Sequence, residues 1–339
     1  MLSIISKIKQ LIICLNYITF KRSLNLFKIG ISYLFSLVGI QITSRLQPLF
    51  VSVEVANYCN LQCPECPVGI GINPKTGRAR FDFNLYKSLI DEQKSTLQHV
   101  ILYFQGEPLL NKELPQFIEY AHRAKIYTST STNCQLLNKK NAKNIVLSGL
   151  DKLIVSVDGT TQEVYEKYRV GGDLQTALDG IKELVLCKNE LNSVTPLIEM
   201  QFIVFKTNEH QMDEMKELAK SLRVDRLVFK TAQLYDFEQG SERLTTIEKY
   251  ARYRLKPDGN YQIKSNLPNH CWRLWSGTVV NAKGEVLPCC FDKSSEFSFG
   301  SVAIQPLSDS WHTKKASGFR DSILKNRKQY EMCRNCTSK

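Results

Sequence analysis

VEVANYCNLQCPECPVG, residues 53–69, decides how the rest of the chain is read. A short β-branched run, 51–55, leads into a loop that carries three thiols in the spacing Cys59-x3-Cys63-x2-Cys66. Thiolates this close together on one loop suit a single soft metal centre. A structural zinc site takes four protein ligands, and this loop has three. A [4Fe–4S] cube held by three cysteines leaves one iron open to another ligand. Buried thiols, or a zinc site completed from elsewhere in the chain, are the alternatives.

Beyond the loop, runs rich in β-branched and aromatic residues recur at 51–55, 99–104, 126–131, 152–157, 197–204 and 226–230, with helical patterns between them. The clearest helix is 209–222, where Met212, Met215, Leu218, Ala219 and Leu222 share a face. Asn208 stands where it would cap that helix, with Gln211 reaching back. Six strands, each followed by a helix, predict an α/β fold, a parallel sheet curled into a partial (βα)6 TIM-like barrel over 49–235. Ligands of such sheets sit at the carboxyl ends of the strands. The polar stretch 236–268, with Pro257, Gly259 and Pro268, reads as a linker. Residues 269–339 read as a small C-terminal domain without a long apolar segment, so metal binding is expected to stabilise it.

Of the 339 residues, 43% are apolar and 10% aromatic, enough for a large core and against wholesale disorder. The longest uncharged run near the start, 29–44, falls short of the roughly 18 apolar residues of a spanning helix and is broken by Ser32, Ser36 and Gln41. Half of the net charge of +12 comes from residues 1–53, which hold Lys7, Lys9, Lys21, Arg22, Lys28 and Arg45 and no acid. The body is only mildly basic, so no nucleic-acid partner is expected. Residues 1–48 read as an N-terminal extension of basic amphipathic helix, for instance around Phe27, Ile31, Leu34 and Val38. That face is expected to pack on the main domain, with weak contact to a membrane surface as the alternative. The odd count of eleven cysteines and the lack of a secretory signal point to the reducing cytoplasm. Cys14, Cys134 and Cys187 read as ordinary buried thiols.

At the head of this strand–helix alternation, Cys59-Asn60-Leu61-Gln62-Cys63-Pro64-Glu65-Cys66 resembles the cluster motif of radical S-adenosylmethionine (SAM) enzymes, a resemblance that covers about 51–231. It implies a [4Fe–4S] cluster on Cys59, Cys63 and Cys66 whose open iron binds the amino and carboxylate groups of SAM. One electron then cleaves the sulfonium, and the 5′-deoxyadenosyl radical abstracts hydrogen from a substrate. The family usually has an aromatic residue where this chain has Glu65. Phe104-Gln105-Gly106-Glu107-Pro108 looks like the family's Gly-Gly-Glu-Pro motif with Gln105 in place of the first glycine. Gly106 and Glu107 would receive the methionine ammonium. The hydroxyls of 129–132 and the amide of Asn133 suit ribose, and Ser156 and Arg169 match, by position, a serine and an arginine that contact ribose or the methionyl carboxylate. Asp158, beside them, has capping of the next helix as its ordinary use. Gln201 either points at the adenosyl group or sits satisfied in the core.

The tail reads Cys271-x17-Cys289-Cys290 and Cys333-x2-Cys336, with Gly284 five residues before Cys289. Spacing alone permits zinc and iron–sulfur equally. Joined to the first motif, the tail resembles the SPASM and shorter Twitch extensions of radical SAM enzymes. That implies one auxiliary [4Fe–4S] cluster on Cys271, Cys289, Cys333 and Cys336, the glycine offset favouring Cys289 over Cys290. A single cluster is expected because the chain stops three residues beyond Cys336. Cys290 and Asp292 are candidate proton acceptors, with a loop thiol and a turn aspartate as their ordinary readings. The implied activity is that of a radical SAM oxidoreductase or modifying enzyme. Its unknown substrate is a peptide first and a sugar or cyclitol second, and its electrons come from a donor such as a flavodoxin or ferredoxin. The rivals are a zinc-binding structural or binding protein and a two-cluster electron carrier.

Overall fold

A computed structural model describes residues 2–43, 46–72 and 77–337, with side chains from Ile8 onward. Two helices, α1 (Leu2–Leu15) and α2 (Phe20–Leu37), precede the barrel. The barrel then runs β1 (Phe50–Val53), α3 (Phe83–Gln93), β2 (His99–Ile101), α4 (Leu114–Arg123), β3 (Tyr127–Thr132), α5 (Lys139–Leu147) and β4 (Lys152–Ser156). It continues with α6 (Gln162–Glu166), α7 (Leu174–Glu190), β5 (Leu197–Val204), α8 (Met212–Ser221) and β6 (Arg226–Thr231). The strands pair in parallel in chain order, from Phe50↔His99 through Val204↔Thr231. This is the partial barrel that the strand–helix alternation predicts.

Alternation along the strands sorts the side chains. Val51, Val53, Val100, Leu102, Leu153, Val155, Met200, Phe202 and Val204 join one buried core under the helices. The opposite parity is largely polar and faces inward: Ser52, His99, Ser129, Ser156, Glu199 and Gln201. Asp82, Asn138 and Asp173 cap α3, α5 and α7 by accepting from the amides of Leu85, Asn141 and Thr176. Met215, Ala219 and Leu222 are buried as the α8 periodicity requires, but the expected cap does not form. Asn208 instead donates to the carbonyls of Asp158 and Ile203, and Gln211 accepts from Thr160 N. Both amides stitch the ends of β4 and β5 together, a long-range use that local spacing does not reveal.

The segment 236–268, read as a linker, contains a hairpin, β7 (Tyr253–Leu255) and β8 (Tyr261–Ile263). Leu234, Phe237, Tyr253, Ile263 and Leu267 form a small core around it. The tail follows as α9 (Trp272–Ser276), β9 (Gly277–Val280), β10 (Glu285–Leu287), β11 (Gly300–Ser301), α10 (Leu307–Trp311), α11 (Lys314–Asn326) and α12 (Glu331–Arg334). It extends the barrel's own sheet: β9 lies parallel to β1, with Ser52↔Val279 in register, and β10 and β11 add antiparallel beyond it. Gly277 permits the close approach, since a Cβ there would lie 2.4 Å from the Phe50 ring. The tail is also less dependent on metal for its packing than the sequence implies. Trp275, Val280, Val286, Leu307, Phe319 and Ile323 are buried in the same core as the barrel. They come from five short elements, so no single apolar segment announces them.

The leading helices close the amino-terminal end of the barrel. Tyr17 stacks edge-on to Tyr127 at 5.8 Å and donates to Asp151 at 2.5 Å. Arg22 is buried and donates to the carbonyls of Tyr17, Lys94, Ala124 and Lys125, so it binds the ends of α3 and α4. The face of α2 turned to the protein is Arg22, Asn25, Ile29, Ser32 and Ser36. The helix therefore packs on the main domain as expected, but through its polar side; Phe27, Ile31, Leu34 and Val38 face outward. No described helix is long and apolar enough to cross a membrane.

Candidate active site at the carboxyl ends of the strands

The loop after β1 turns the three thiols over the open end of the barrel. Cys63 is buried with Leu61, Tyr168, Phe205 and Ala232, and Cys59 and Cys66 pack against the same cluster. Tyr168 and Phe205 pack against each other, tilted by 40° with centroids 4.5 Å apart, an aromatic floor that the sequence reading missed, because the two residues lie far apart in the chain. Gln62 N donates to Val170 O, which ties the loop to the segment after α6. Through that tie Arg169 reaches the cluster loop, its Nη1 lying 4.0 Å from Cys63 Sγ. Arg169 Nε donates to Asp158 Oδ2 at 2.6 Å, and Ile203 N donates to Oδ1 at 2.6 Å. Asp158 thus holds the guanidinium and does not cap a helix.

Burial raises the Cys59 thiol to about 11 and also raises that of Cys63, and the neighbouring thiols oppose ionisation further. A set of thiolates held here needs a cationic centre among them, which iron supplies. Among the described residues, no three Cys, His, Asp or Glu side chains are already drawn onto a common point. The donor set nevertheless fits a cluster: three soft ligands on one loop, with Arg169 beside them.

Two neighbouring segments complete the surround. Gly106 has φ +68°, and a Cβ there would sit 2.5 Å from Ala56 O and 2.8 Å from Tyr58 N, so only glycine brings this turn against the cluster loop. Glu107 is buried, accepting from Leu109 N at 3.0 Å and Asn133 N at 2.8 Å. It was expected as an open acceptor for an ammonium group. Each of its two oxygens takes one backbone N–H and keeps a further lone pair, so the carboxylate locks the β2 and β3 loops together and retains acceptor capacity for such a group. Asn133 in turn donates to Asn60 Oδ1 at 2.9 Å and lies 3.6 Å from Cys59 Sγ, against the cluster loop. Ser156 is half-buried on the inner face, in register with Gln201. Gln201 donates to Glu199, which also meets Arg226 at 3.4 Å and Lys152 at 3.9 Å, so a charged network lines the interior. Glu65, where the family has an aromatic residue, pairs with Arg243 at 3.6 Å and accepts from Tyr235 N.

The tail brings its own thiols together. Cys271, Cys333 and Cys336 are buried, and burial with the neighbouring thiols raises Cys271, Cys289 and Cys333 above the ordinary thiol range. Cys333 is pushed up to about 12, chiefly by burial. Three buried thiols and the half-buried Cys289, gathered in one place, fit a cluster ligated wholly by protein. Cys290 lies beside Cys289: both line a cavity with Ser52, Ile101, Tyr103 and Arg273, and Cys290 accepts from Arg273 Nη1 at 3.7 Å. Asp292 accepts from Glu296 N and Phe297 N, so both carboxylate oxygens close its own turn. That is the ordinary reading of Asp292, a carboxylate that closes its own turn. Gln105 spans the two units by donating to Lys293 O.

Comparison with known families agrees with this arrangement. The radical SAM superfamily profile matches residues 53–195, and the SPASM iron–sulfur cluster-binding domain matches 271–337. The chain belongs to the radical SAM superfamily. Among relatives of this radical SAM enzyme is the S-adenosyl-L-methionine-dependent 2-deoxy-scyllo-inosamine dehydrogenase of Niallia circulans, 26% identical over 298 residues, 85% of this chain and 92% of that one. The PqqA peptide cyclase of Rhodopseudomonas palustris is 26% identical over 262 residues, 71% of this chain and 67% of that one. Among solved structures, Streptococcus suis SuiB bound to its precursor peptide SuiA has a TM-score of 0.62 at 14% identity, covering 86% of this chain and 70% of that one. BtrN in complex with AdoMet and 2-DOIA has a TM-score of 0.52 at 20% identity, covering 86% and 94%. These structures share the fold.

Proposed function

We propose that this radical SAM enzyme binds SAM at the Cys59–Cys63–Cys66 loop and oxidises a small polyhydroxylated substrate, a sugar or cyclitol, held inside the barrel. The observation that carries the reading is the juxtaposition at the strand ends: three thiols on one loop, Arg169 against Cys63, and a polar interior below them. Cys59, Cys63 and Cys66 would hold one [4Fe–4S] cluster, and Cys271, Cys289, Cys333 and Cys336 a second. When bound, the first supplies the electron that cleaves SAM to methionine and a 5′-deoxyadenosyl radical, and the second accepts the electron released by the substrate.

The chain's own residues do the rest. Gly106, Asn133, Ser156 and Arg169 orient SAM, and the Asp158 pair fixes the Arg169 guanidinium. Gln201, Glu199 and Lys152 offer donors and acceptors for hydroxyl groups deeper in the barrel. With both groups bound, a carbinol C–H held here would be the hydrogen donor; the substrate would pass its second electron to the auxiliary cluster and its hydroxyl proton to a base of the chain, giving a ketone and 5′-deoxyadenosine. Cys290, in the cavity beside Tyr103, is the proton acceptor in this reading. Reduction of the first cluster needs a small donor of the flavodoxin or ferredoxin kind.

A peptide substrate is the second reading, supported by the match to a peptide cyclase. Carbon-deuterated cyclitols and sugars, offered alongside peptides, separate the two. Deuterium in 5′-deoxyadenosine with a ketone as product is the expected result for a polyol. Deuterium arriving only from labelled peptides would favour the second reading.

A further inference from the structure

The second helix at the base of the barrel, α2, is inside out. In a helix packed on a soluble domain, the apolar stripe faces the core and the polar face meets water. In α2 the buried positions are Arg22, Asn25, Ile29, Ser32 and Ser36, four of the five polar. Their polar atoms are used on the protein: Asn25 donates to Gln47 O, Trp275 Nε1 donates to Ser32, and Ser36 donates to Tyr33 O. The outward stripe is Phe20, Leu24, Phe27, Ile31, Leu34 and Val38, with Phe20 82%, Phe27 64%, Leu34 62% and Val38 72% exposed. Ile8, Leu11, Ile12, Leu15 and Ile18 of α1 and its turn are also exposed, so both leading helices present apolar side chains to solvent. Contiguous apolar surface of this kind on a soluble protein marks a binding face.

Charge says what covers it. Residues 1–53 carry six Lys or Arg and no Asp or Glu; Lys21 and Lys28 are exposed beside the stripe, while Lys9, also exposed, pairs with Asp225 at 3.3 Å. A second copy docking through this face would set lysines against lysines with no acid to pair them. An anionic lipid surface meets both features at once, since its acyl boundary takes the apolar stripe and its headgroups take the lysines. Because neither helix is long and apolar enough to cross, they would lie in the plane of the interface. Tyr17 and Arg22 fix these helices to the amino-terminal end of the barrel. We propose that this base is a monotopic membrane-docking surface for anionic bilayers, which turns the mouth of the active site away from the lipid.

The test uses the full chain and sedimentation with vesicles of phosphatidylcholine containing phosphatidylglycerol, with vesicle-free pelleting subtracted. The wild type is expected to pellet, less so as salt rises or phosphatidylglycerol is removed. Phe27→Glu/Leu34→Glu, on exposed positions that leave the buried face intact, should weaken the partition by at least about 100-fold. Lys21→Ser/Lys28→Ser should weaken it by about 10-fold or more at low salt. SAM cleavage in solution should be unchanged in both variants, which shows that they are folded. The proposal is overturned if the wild type stays in the supernatant at every phosphatidylglycerol content. It is also overturned if the chain sediments as a dimer that Phe27→Glu/Leu34→Glu dissociates, because a second copy would then cover the stripe.

Discussion

Cys63→Ala is expected to lower the formation of 5′-deoxyadenosine from SAM by at least about 1000-fold, while bound iron falls from about eight to about four atoms per chain. The size of the effect follows from position. Cys63 is the middle ligand of the loop, buried on the Tyr168–Phe205 floor and beside Arg169, so no other thiol or water can take its place. Two ligands do not hold a cube that needs three. The second cluster draws its four ligands from the tail, so its visible absorbance and about half of the iron remain. Cys290→Ala makes the contrast. It leaves both ligand sets intact and should preserve iron content while slowing only turnover of substrate. Iron and sulfide analysis after anaerobic reconstitution, together with chromatography of 5′-deoxyadenosine, measures both variants.

The second large effect concerns stability. Asp158 is fully buried and meets Arg169 at 2.6 Å, where the guanidinium is only 13% exposed. Asp158→Ala removes the carboxylate but leaves the cation buried, and it orphans Ile203 N as well. Breaking such a pair from one side costs about 3–5 kcal/mol. Replacing both partners, as Asp158→Ala/Arg169→Met, removes the stranded charge and should recover part of the loss. Anaerobic urea unfolding of the wild type and the two variants reads this directly. Equal midpoints for the wild type and Asp158→Ala would mean that the pair does not organise the strand ends. Weaker SAM binding in both variants, from loss of the fixed guanidinium, is the accompanying result.

The barrel was legible because its signals are local and repeated. Each strand is a short β-branched run, each helix has its stripe, and Cys59, Cys63 and Cys66 lie within a single loop. What escaped depends on contacts between distant segments. Asn208 has the spacing of a helix cap, yet its amide bonds Asp158 and Ile203 because the β4 and β5 ends bury unpaired carbonyls there. Glu107 has the sequence position of a ligand acceptor, but its bonds to Leu109 N and Asn133 N, which join the β2 and β3 loops, left no local signal. β9 joins β1 across more than two hundred residues, which no periodicity reports. The orientation of α2 is the clearest case. Its pattern of apolar and polar positions was visible, but which side met the protein depended on Arg22 finding the open carbonyls at the ends of α3 and α4.

The central claim is that three sulfurs of one loop hold an iron–sulfur cube open to SAM. Reconstituted full-length protein, reduced with dithionite and given SAM without substrate, tests it against the chain carrying Cys59→Ala, Cys63→Ala and Cys66→Ala together. Formation of 5′-deoxyadenosine by the unaltered protein alone is the expected result. Equal yields from both proteins, or none from either with zinc bound in place of iron, would contradict it.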